Sequence, residues 1–72
     1  MKTTNVIINR AEYEDGWKER IEENLAMGHE VELQNFVYPD DQETCNLLAN
    51  KYQAKVRLHH DKTICYFMRL QM

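Results

Sequence analysis

The stretch AKVRLHHDKTICYFMRLQM, residues 54–72, decides the fold, because it has the pattern of two short strands joined by a tight turn. Apolar and basic side chains alternate along it, which is the two-residue period of a sheet with two different faces. It carries four basic side chains and one acid, a formal charge of +3. Residues 1–53 hold five basic and eleven acidic side chains, a charge of −6. The chain is therefore electrically bipolar, with its basic part in a predicted β-hairpin.

The register of this hairpin determines which face of the sheet is buried, and the sequence leaves two registers open. A loop with an odd number of residues, at His60, Asp61 and Lys62, places six apolar positions on one face. These are Val56, Leu58, Ile64, Tyr66, Met68 and Leu70, opposite a face with Lys55, Arg57, His59, Cys65, Phe67 and Arg69. We favour this register because it gives one continuous core face. A loop of even length instead buries Val56, Leu58, Cys65 and Phe67 and turns Ile64, Tyr66, Met68 and Leu70 outward.

A strand and a helix are predicted at the beginning of the chain. Residues 5–9 contain three consecutive β-branched apolar residues, which favours a short strand. Asn9 and Glu12 have the spacing of a helix capping box, and Gly28 is a natural helix end. Gly16 interrupts this first helix, so its ordered part is expected to begin near Asp15. The apolar stripe of the helix consists of Tyr13, Trp17, Ile21 and Leu25.

A second strand and a second helix precede the hairpin. Residues 29–38 show an interrupted alternation that predicts a strand, which Pro39 ends. Asp40, with Glu43 three residues later, is predicted to cap the second helix. The apolar face of that helix consists of Cys45, Leu48, Ala49 and Tyr52. The hairpin's first strand then follows almost at once, over residues 54–59.

These elements predict a single small α+β domain over residues 1–72, with the order β-α-β-α-β-β. Two helices packed on one face of a three- or four-stranded sheet, with a C-terminal β-hairpin, would bury both apolar stripes. A chain of 72 residues buries only about 60% of its unfolded surface, so we expect support from a second subunit. With 43% hydrophobic and 29% charged residues, the composition is that of a globular protein and excludes intrinsic disorder.

Cysteine use and the N-terminal residues predict a cytoplasmic location. Cys45 and Cys65 are expected to be reduced packing residues, because one disulfide is a poor match to the dense frameworks of small secreted domains. The apolar run at residues 6–8 is far too short for a signal-peptide core or a membrane span.

The sequence predicts no enzymatic activity, no metal site and no cofactor. His29, Cys45, His59, His60 and Cys65 could ligate zinc chemically, but their spacing matches no zinc motif. There is no serine to serve as a nucleophile.

Five residues resemble the PD-(D/E/Q)xK pattern of metal-dependent nucleases. They are Pro39 and Asp40, followed by Gln53, Ala54 and Lys55. In such nucleases carboxylates hold Mg²⁺ and the lysine steadies the attacking water. The halves of that pattern usually lie on neighbouring strands, whereas here the second helix fills the interval, so this similarity adds no catalytic prediction.

Nucleic-acid binding is the alternative function, because cations neutralise phosphates while an aromatic ring on the same face can stack on an unpaired base. The pI near 5.5 argues against it, since nucleic-acid modules usually have a pI above about 9. A further hypothesis is mimicry of nucleic acid by the acidic first helix. Its carboxylates are Glu12, Glu14, Asp15, Glu19, Glu22 and Glu23.

The favoured function is that of a non-enzymatic protein-binding or regulatory domain. The predicted partner-binding residues are Lys55, Arg57, His59, Phe67 and Arg69. The C-terminal strand, residues 64–72, is expected to be an uncovered edge through which the protein forms a homodimer. A small chain without a catalytic set also fits the accessory proteins with which viruses and mobile elements bind and inhibit a host factor.

Overall fold

A computed structural model describes residues 4–69 and confirms the predicted α+β class and element order. The elements are β1 (Asn5–Asn9), α1 (Arg10–Tyr13), a 3-10 turn (Glu14–Gly16), α2 (Trp17–Ala26), β2 (Glu30–Gln34), α3 (Gln42–Lys51), β3 (Ala54–Leu58) and β4 (Ile64–Arg69). Within residues 4–69, each helix is too short or too polar to span a bilayer.

The four strands form one mixed sheet in the order β1-β2-β4-β3. β1 runs parallel to β2, and β4 runs antiparallel to both β2 and β3. The prediction that the C-terminal strand is a free edge is therefore wrong, because Phe67 of β4 lies between Val31 of β2 and Val56 of β3. The two fully buried side chains of β4, Cys65 and Phe67, suit a central strand. The remainder of the predicted edge, residues 70–72, lies outside the described part of the chain.

One face of the sheet, here called the helix-covered face, holds the core. From the sheet it includes Ile8, Val31, Leu33, Cys65 and Phe67, with Val6, Ala54, Val56 and Leu58 at its margin. The helices contribute Trp17, Ile21 and Leu25 from α2 and Cys45, Leu48 and Ala49 from α3. The opposite, open face carries Ile7, Glu30, Glu32, Gln34, Lys55, Arg57, Ile64, Tyr66 and Met68.

The hairpin has the even register, so the favoured odd loop is wrong. Arg57 pairs with Tyr66, and the His59 N–H donates to the Ile64 carbonyl at 2.9 Å. The loop therefore spans residues 60–63, and no glycine or asparagine marks it. Lys62 supplies the left-handed conformation that such a loop needs, with φ 61°. The loop is one residue longer than predicted, so every side chain of β4 lies on the opposite face from the one predicted.

The predicted first helix is interrupted near Gly16, as the glycine led us to expect. The side chain of Asn9 caps α1 by accepting from the Ala11 N–H at 3.1 Å, but α1 is only four residues long. The 3-10 turn follows, and the long helix begins at Trp17. Its end is the predicted one, because Gly28 adopts φ 84°. The Gly28 and His29 N–H groups donate to the Leu25 and Asn24 carbonyls in a Schellman motif.

The prediction that Asp40 caps the second helix is wrong. α3 begins at Gln42, with Asp41 in the cap position, and the Asp41 side chain makes no capping bond. Its carboxylate instead accepts the Val37 N–H at 3.0 Å and lies 2.6 Å from the Arg10 Nε. β2 ends at Gln34, before the predicted residue 38, because Asn35 adopts a left-handed φ of 60°.

Candidate functional site

The open face contains a cleft of about 530 Å³ beside the hairpin loop. Its lining residues are Arg57, His59, Tyr66 and Met68 from the open face, together with Leu58, the last residue of β3, and His60 in the hairpin loop. Arg57 and Tyr66 lie directly opposite each other on β3 and β4, so the edge strand and the central strand build the cleft together. The cleft combines an aromatic ring, a thioether, a guanidinium and two imidazoles, which suits recognition of a polar ligand with an apolar part.

The rings at the loop end of the cleft lie close together. The centroids of the His59 and His60 rings are 4.2 Å apart, and those of His59 and Tyr66 are 6.4 Å apart. At these distances each ring contacts the next one. The hairpin loop thereby extends the aromatic surface of Tyr66 out to the edge of the sheet.

Charge on the open face changes sign across the sheet. β3 contributes the exposed side chains of Lys55 and Arg57, and β2 contributes Glu30 and Glu32. Tyr66 lies between the basic and the acidic side chains, with Glu32 opposite it on β2 and Arg57 opposite it on β3. Within residues 4–69, neither Lys55 nor Arg57 forms an ion pair.

Asp61 organises the hairpin loop below this cleft. Its carboxylate accepts hydrogen bonds from the Thr63 N–H at 3.0 Å and the Thr63 hydroxyl at 2.8 Å. His59 Nδ1 lies 2.9 Å from the same oxygen. The bonds from Thr63, and then that from His59, lower the pKa of Asp61 from 3.8 to about 2. The anionic carboxylate thus holds the loop that positions His59.

We expect this loop to lose its anchor only in strong acid. Because the folded pKa of Asp61 is depressed, its stabilising contribution is present above pH 3.8 and is lost as the pH falls through about 2. An NMR titration of the Asp61 carboxyl carbon and the Thr63 amide should give a shared midpoint near 2. In Asp61→Asn the Thr63 midpoint should vanish, and a wild-type midpoint at 3.8 would contradict the hydrogen-bonded loop.

The structure brings together three of the five predicted partner-binding residues. Lys55, Arg57 and His59 lie along one side of the open face, whereas Phe67 is buried on the helix-covered face, with 0% exposure. The prediction of Phe67 as a contact residue is therefore wrong. Arg69 is exposed but belongs to the helix-covered side, where its guanidinium approaches Gly28. The even register causes both changes.

Sequence reasoning missed Tyr66 and Met68, which replace Phe67 in the candidate site. Phe is more often fully buried than Tyr, so the pair Tyr66 and Phe67 contained a signal for the correct register. Asp61 followed by Thr63 was a second signal, because an aspartate that bonds two residues ahead forms a turn without glycine.

The acidic carboxylates lie on separate elements instead of one helix. Glu12 belongs to α1, Glu14 and Asp15 to the 3-10 turn, and the other three to α2. Glu22 accepts the Tyr52 hydroxyl at 3.2 Å and lies 3.4 Å from the Lys51 Nζ. The predicted acidic first helix is therefore divided into α1, the 3-10 turn and α2, and mimicry of nucleic acid by these carboxylates stays a prediction.

The two cysteines are free and buried, as predicted for packing residues. A hydrogen bond with the Cys65 thiol and burial raise the pKa of the Cys45 thiol. Across residues 4–69 no three histidine, cysteine or acidic side chains cluster in a way that could hold a metal ion. In the nuclease-like pattern, Asp40 lies in the turn before α3 and Lys55 lies on β3, with the whole of α3 between them in sequence.

Comparison of this chain with protein-family models, with curated proteins and with solved structures found no match.

Proposed function

We propose that this domain is a non-enzymatic protein-binding module that contacts its partner through the cleft on the open face. The observation that carries the proposal is the position of Tyr66, in an uncovered cleft between the cations of β3 and the carboxylates of β2. Tyr, Arg and Met are enriched in protein interfaces, and all three side chains line this cleft.

Charge and apolar character on the open face support the same proposal. One face of an antiparallel sheet commonly meets water and is then polar. Here Ile7 is 59% exposed on that face, and Ile64, Tyr66 and Met68 are half-buried there. The separation of basic from acidic side chains can steer a partner of complementary pattern into one orientation.

The proposed role is stoichiometric, so that the domain regulates or inhibits a factor by occupying its surface. The exposed cations of β3 and the apolar side chains of the cleft support such a surface contact, and stoichiometric binding of this kind is the role of accessory proteins in viruses and mobile elements. A cytoplasmic location is in keeping with two buried cysteines that remain free.

We expect Tyr66→Ala and Arg57→Glu each to reduce partner retention about tenfold or more, because a central interface residue contributes about 2 kcal/mol or more. Leu47→Ala and Glu43→Lys are the controls, since both side chains are exposed on α3 and Glu43→Lys reverses a charge as Arg57→Glu does. Quantitative mass spectrometry should compare lysate proteins retained by each immobilised variant. Proteins held by the wild type and the controls but lost by both cleft variants support the proposal, and equal retention by all five contradicts it.

Single-stranded nucleic acid is the second candidate, favoured by the grouping of Tyr66 with Arg57 and two imidazoles. The aromatic ring could stack on a base while the cations meet phosphates. Glu32, directly opposite Tyr66, and the net charge of −3 oppose such a ligand. Fluorescence anisotropy with labelled single-stranded oligonucleotides at two salt concentrations separates the candidates. Binding that falls steeply with salt and is lost in Tyr66→Ala supports nucleic acid, and no binding at low salt removes it.

A further inference from the structure

We propose that the outer edge of β3 is the docking site for an extended peptide segment that alternates acidic and apolar side chains. The segment would join the sheet as a fifth strand beside β3. This inference rests on the proposed function, because it names the chemistry of the protein partner at the border of the cleft. It also differs from the predicted homodimer, since the edge is β3 and not the C-terminal strand.

The main chain of β3 offers hydrogen-bonding groups on its outer side. In an antiparallel pair, residues that exchange both backbone bonds alternate with residues that exchange none. The bond from His59 N–H to the Ile64 carbonyl sets this alternation, so Lys55 and Arg57 direct their backbone groups toward β4. Val56 and Leu58 direct theirs away from β4. Nothing within residues 4–69 pairs with that outer side.

The side chains of β3 determine which peptide would fit. On the open face, Lys55 and Arg57 are exposed and have no ion-pair partner within the described residues. Carboxylates on an added strand would lie directly beside them. On the helix-covered face, Val56 and Leu58 are half-buried and pack at the margin of the core. Apolar side chains on the added strand would continue that core, so acidic and apolar residues must alternate.

The other edge of the sheet lacks this complementarity. β1, Asn5–Asn9, has no charged residue, so charge there selects no partner. Lysine on an edge strand also serves in many proteins to prevent indiscriminate sheet pairing. That ordinary role would predict no preference for one peptide over another. Selectivity for an acidic, alternating peptide is therefore the property that distinguishes docking from protection.

The test is backbone amide exchange of the full chain, measured by NMR during titration with a short peptide that alternates glutamate and valine. We expect slower exchange at Val56 and Leu58, with no change along β1. A peptide that alternates lysine and valine should give no protection. A peptide with its glutamates and valines in separate blocks should give none either. Equal protection by the lysine peptide, or unchanged exchange at Val56 and Leu58, would overturn the proposal.

Two variants make the result independent of non-specific effects. Lys55→Glu combined with Arg57→Glu should weaken binding of the glutamate peptide at least tenfold and let the lysine peptide bind instead. Val56→Pro removes an outward N–H without breaking a bond to β4, so binding should fall while circular dichroism verifies the fold. Retained affinity in a folded Val56→Pro, or failure of the charge exchange, would contradict strand addition.

The failure of this inference can be told apart from failure of the proposed function. If Tyr66→Ala loses its captured proteins while the glutamate peptide leaves Val56 unprotected, the cleft binds protein and the edge does not. If the peptide protects Val56 while Tyr66→Ala retains all captured proteins, the edge binds and the cleft does not. Protection of the same amides by a single-stranded oligonucleotide, but not by the glutamate peptide, would assign β3 to nucleic acid and refute the peptide proposal.

Discussion

Phe67→Ala should lower the free energy of unfolding by about 3–5 kcal/mol, the usual cost of truncating a buried aromatic side chain. Phe67 is fully buried on the central strand, between Val31 and Val56. A domain of 72 residues has about 4–11 kcal/mol of stability at roughly 0.05–0.15 kcal/mol per residue. The substitution should therefore remove a large part of the total, and the thermal midpoint should fall by at least about 12 °C.

Tyr66→Ala is the matched control, because Tyr66 is the residue next to Phe67 and its side chain is half-buried on the open face. We expect this variant to lose about 1 kcal/mol or less, since solvent already reaches the ring. Urea denaturation followed by circular dichroism gives both values. A larger loss for Tyr66→Ala than for Phe67→Ala would mean that the hairpin has the odd register, and the cleft at Tyr66 would then not exist.

The comparison of these two residues shows how far sequence reasoning reached. The element order followed from strong local signals, such as the stripe through Trp17, Ile21 and Leu25 and the helix end at Gly28. The register did not, because both alternating sets of β4 contain large apolar residues. The choice between the two registers depends on the length of the turn. Here the hydrogen bonds from Thr63 to Asp61 form that turn without a glycine, and the amino-acid composition gives no sign of them.

Sheet order was the second property that sequence did not determine. The hairpin required only that β3 and β4 be neighbours, and either strand could have paired with β2. Because β4 took the central place, its two fully buried side chains, Cys65 and Phe67, contact strands on both sides. β3, with the exposed Lys55 and Arg57, was left at the edge. Because of this arrangement, β4 is not the free edge predicted for a dimer, and β3 is the edge at which we propose that a peptide docks.

The candidate site was partly predictable for a related reason. Lys55, Arg57 and His59 belong to one strand, so their common face followed from the two-residue period alone. Their aromatic neighbour depended on pairing with β4, which is a tertiary property. Tyr66 in place of Phe67 leaves the predicted chemistry of cations beside an aromatic ring intact, but adds a hydroxyl and places Glu32 next to it.

Asp41→Ala is expected to produce the second large effect, a loss of about 2–4 kcal/mol in the free energy of unfolding. Asp41 is 6% exposed and its carboxylate meets both the Val37 N–H and the Arg10 guanidinium. Removing one partner of a buried pair costs about 3–5 kcal/mol when the other is left desolvated. Here the Arg10 side chain is 31% exposed and lies 5.2 Å from the centre of the Trp17 ring, so the cost should be somewhat lower.

Asp40→Ala provides the control, because Asp40 lies next to Asp41 in sequence but is exposed and does not occupy the cap position of α3. Its effect should stay within about 0.5 kcal/mol. A double-mutant cycle with Arg10→Gln should give a coupling energy of about 0.5–3 kcal/mol with Asp41 and none with Asp40. If Asp40→Ala were the more destabilising variant, Asp40 would be the helix cap after all. A coupling energy near zero between Arg10 and Asp41 would mean that the bond between the start of α1 and the loop before α3 contributes nothing measurable to stability.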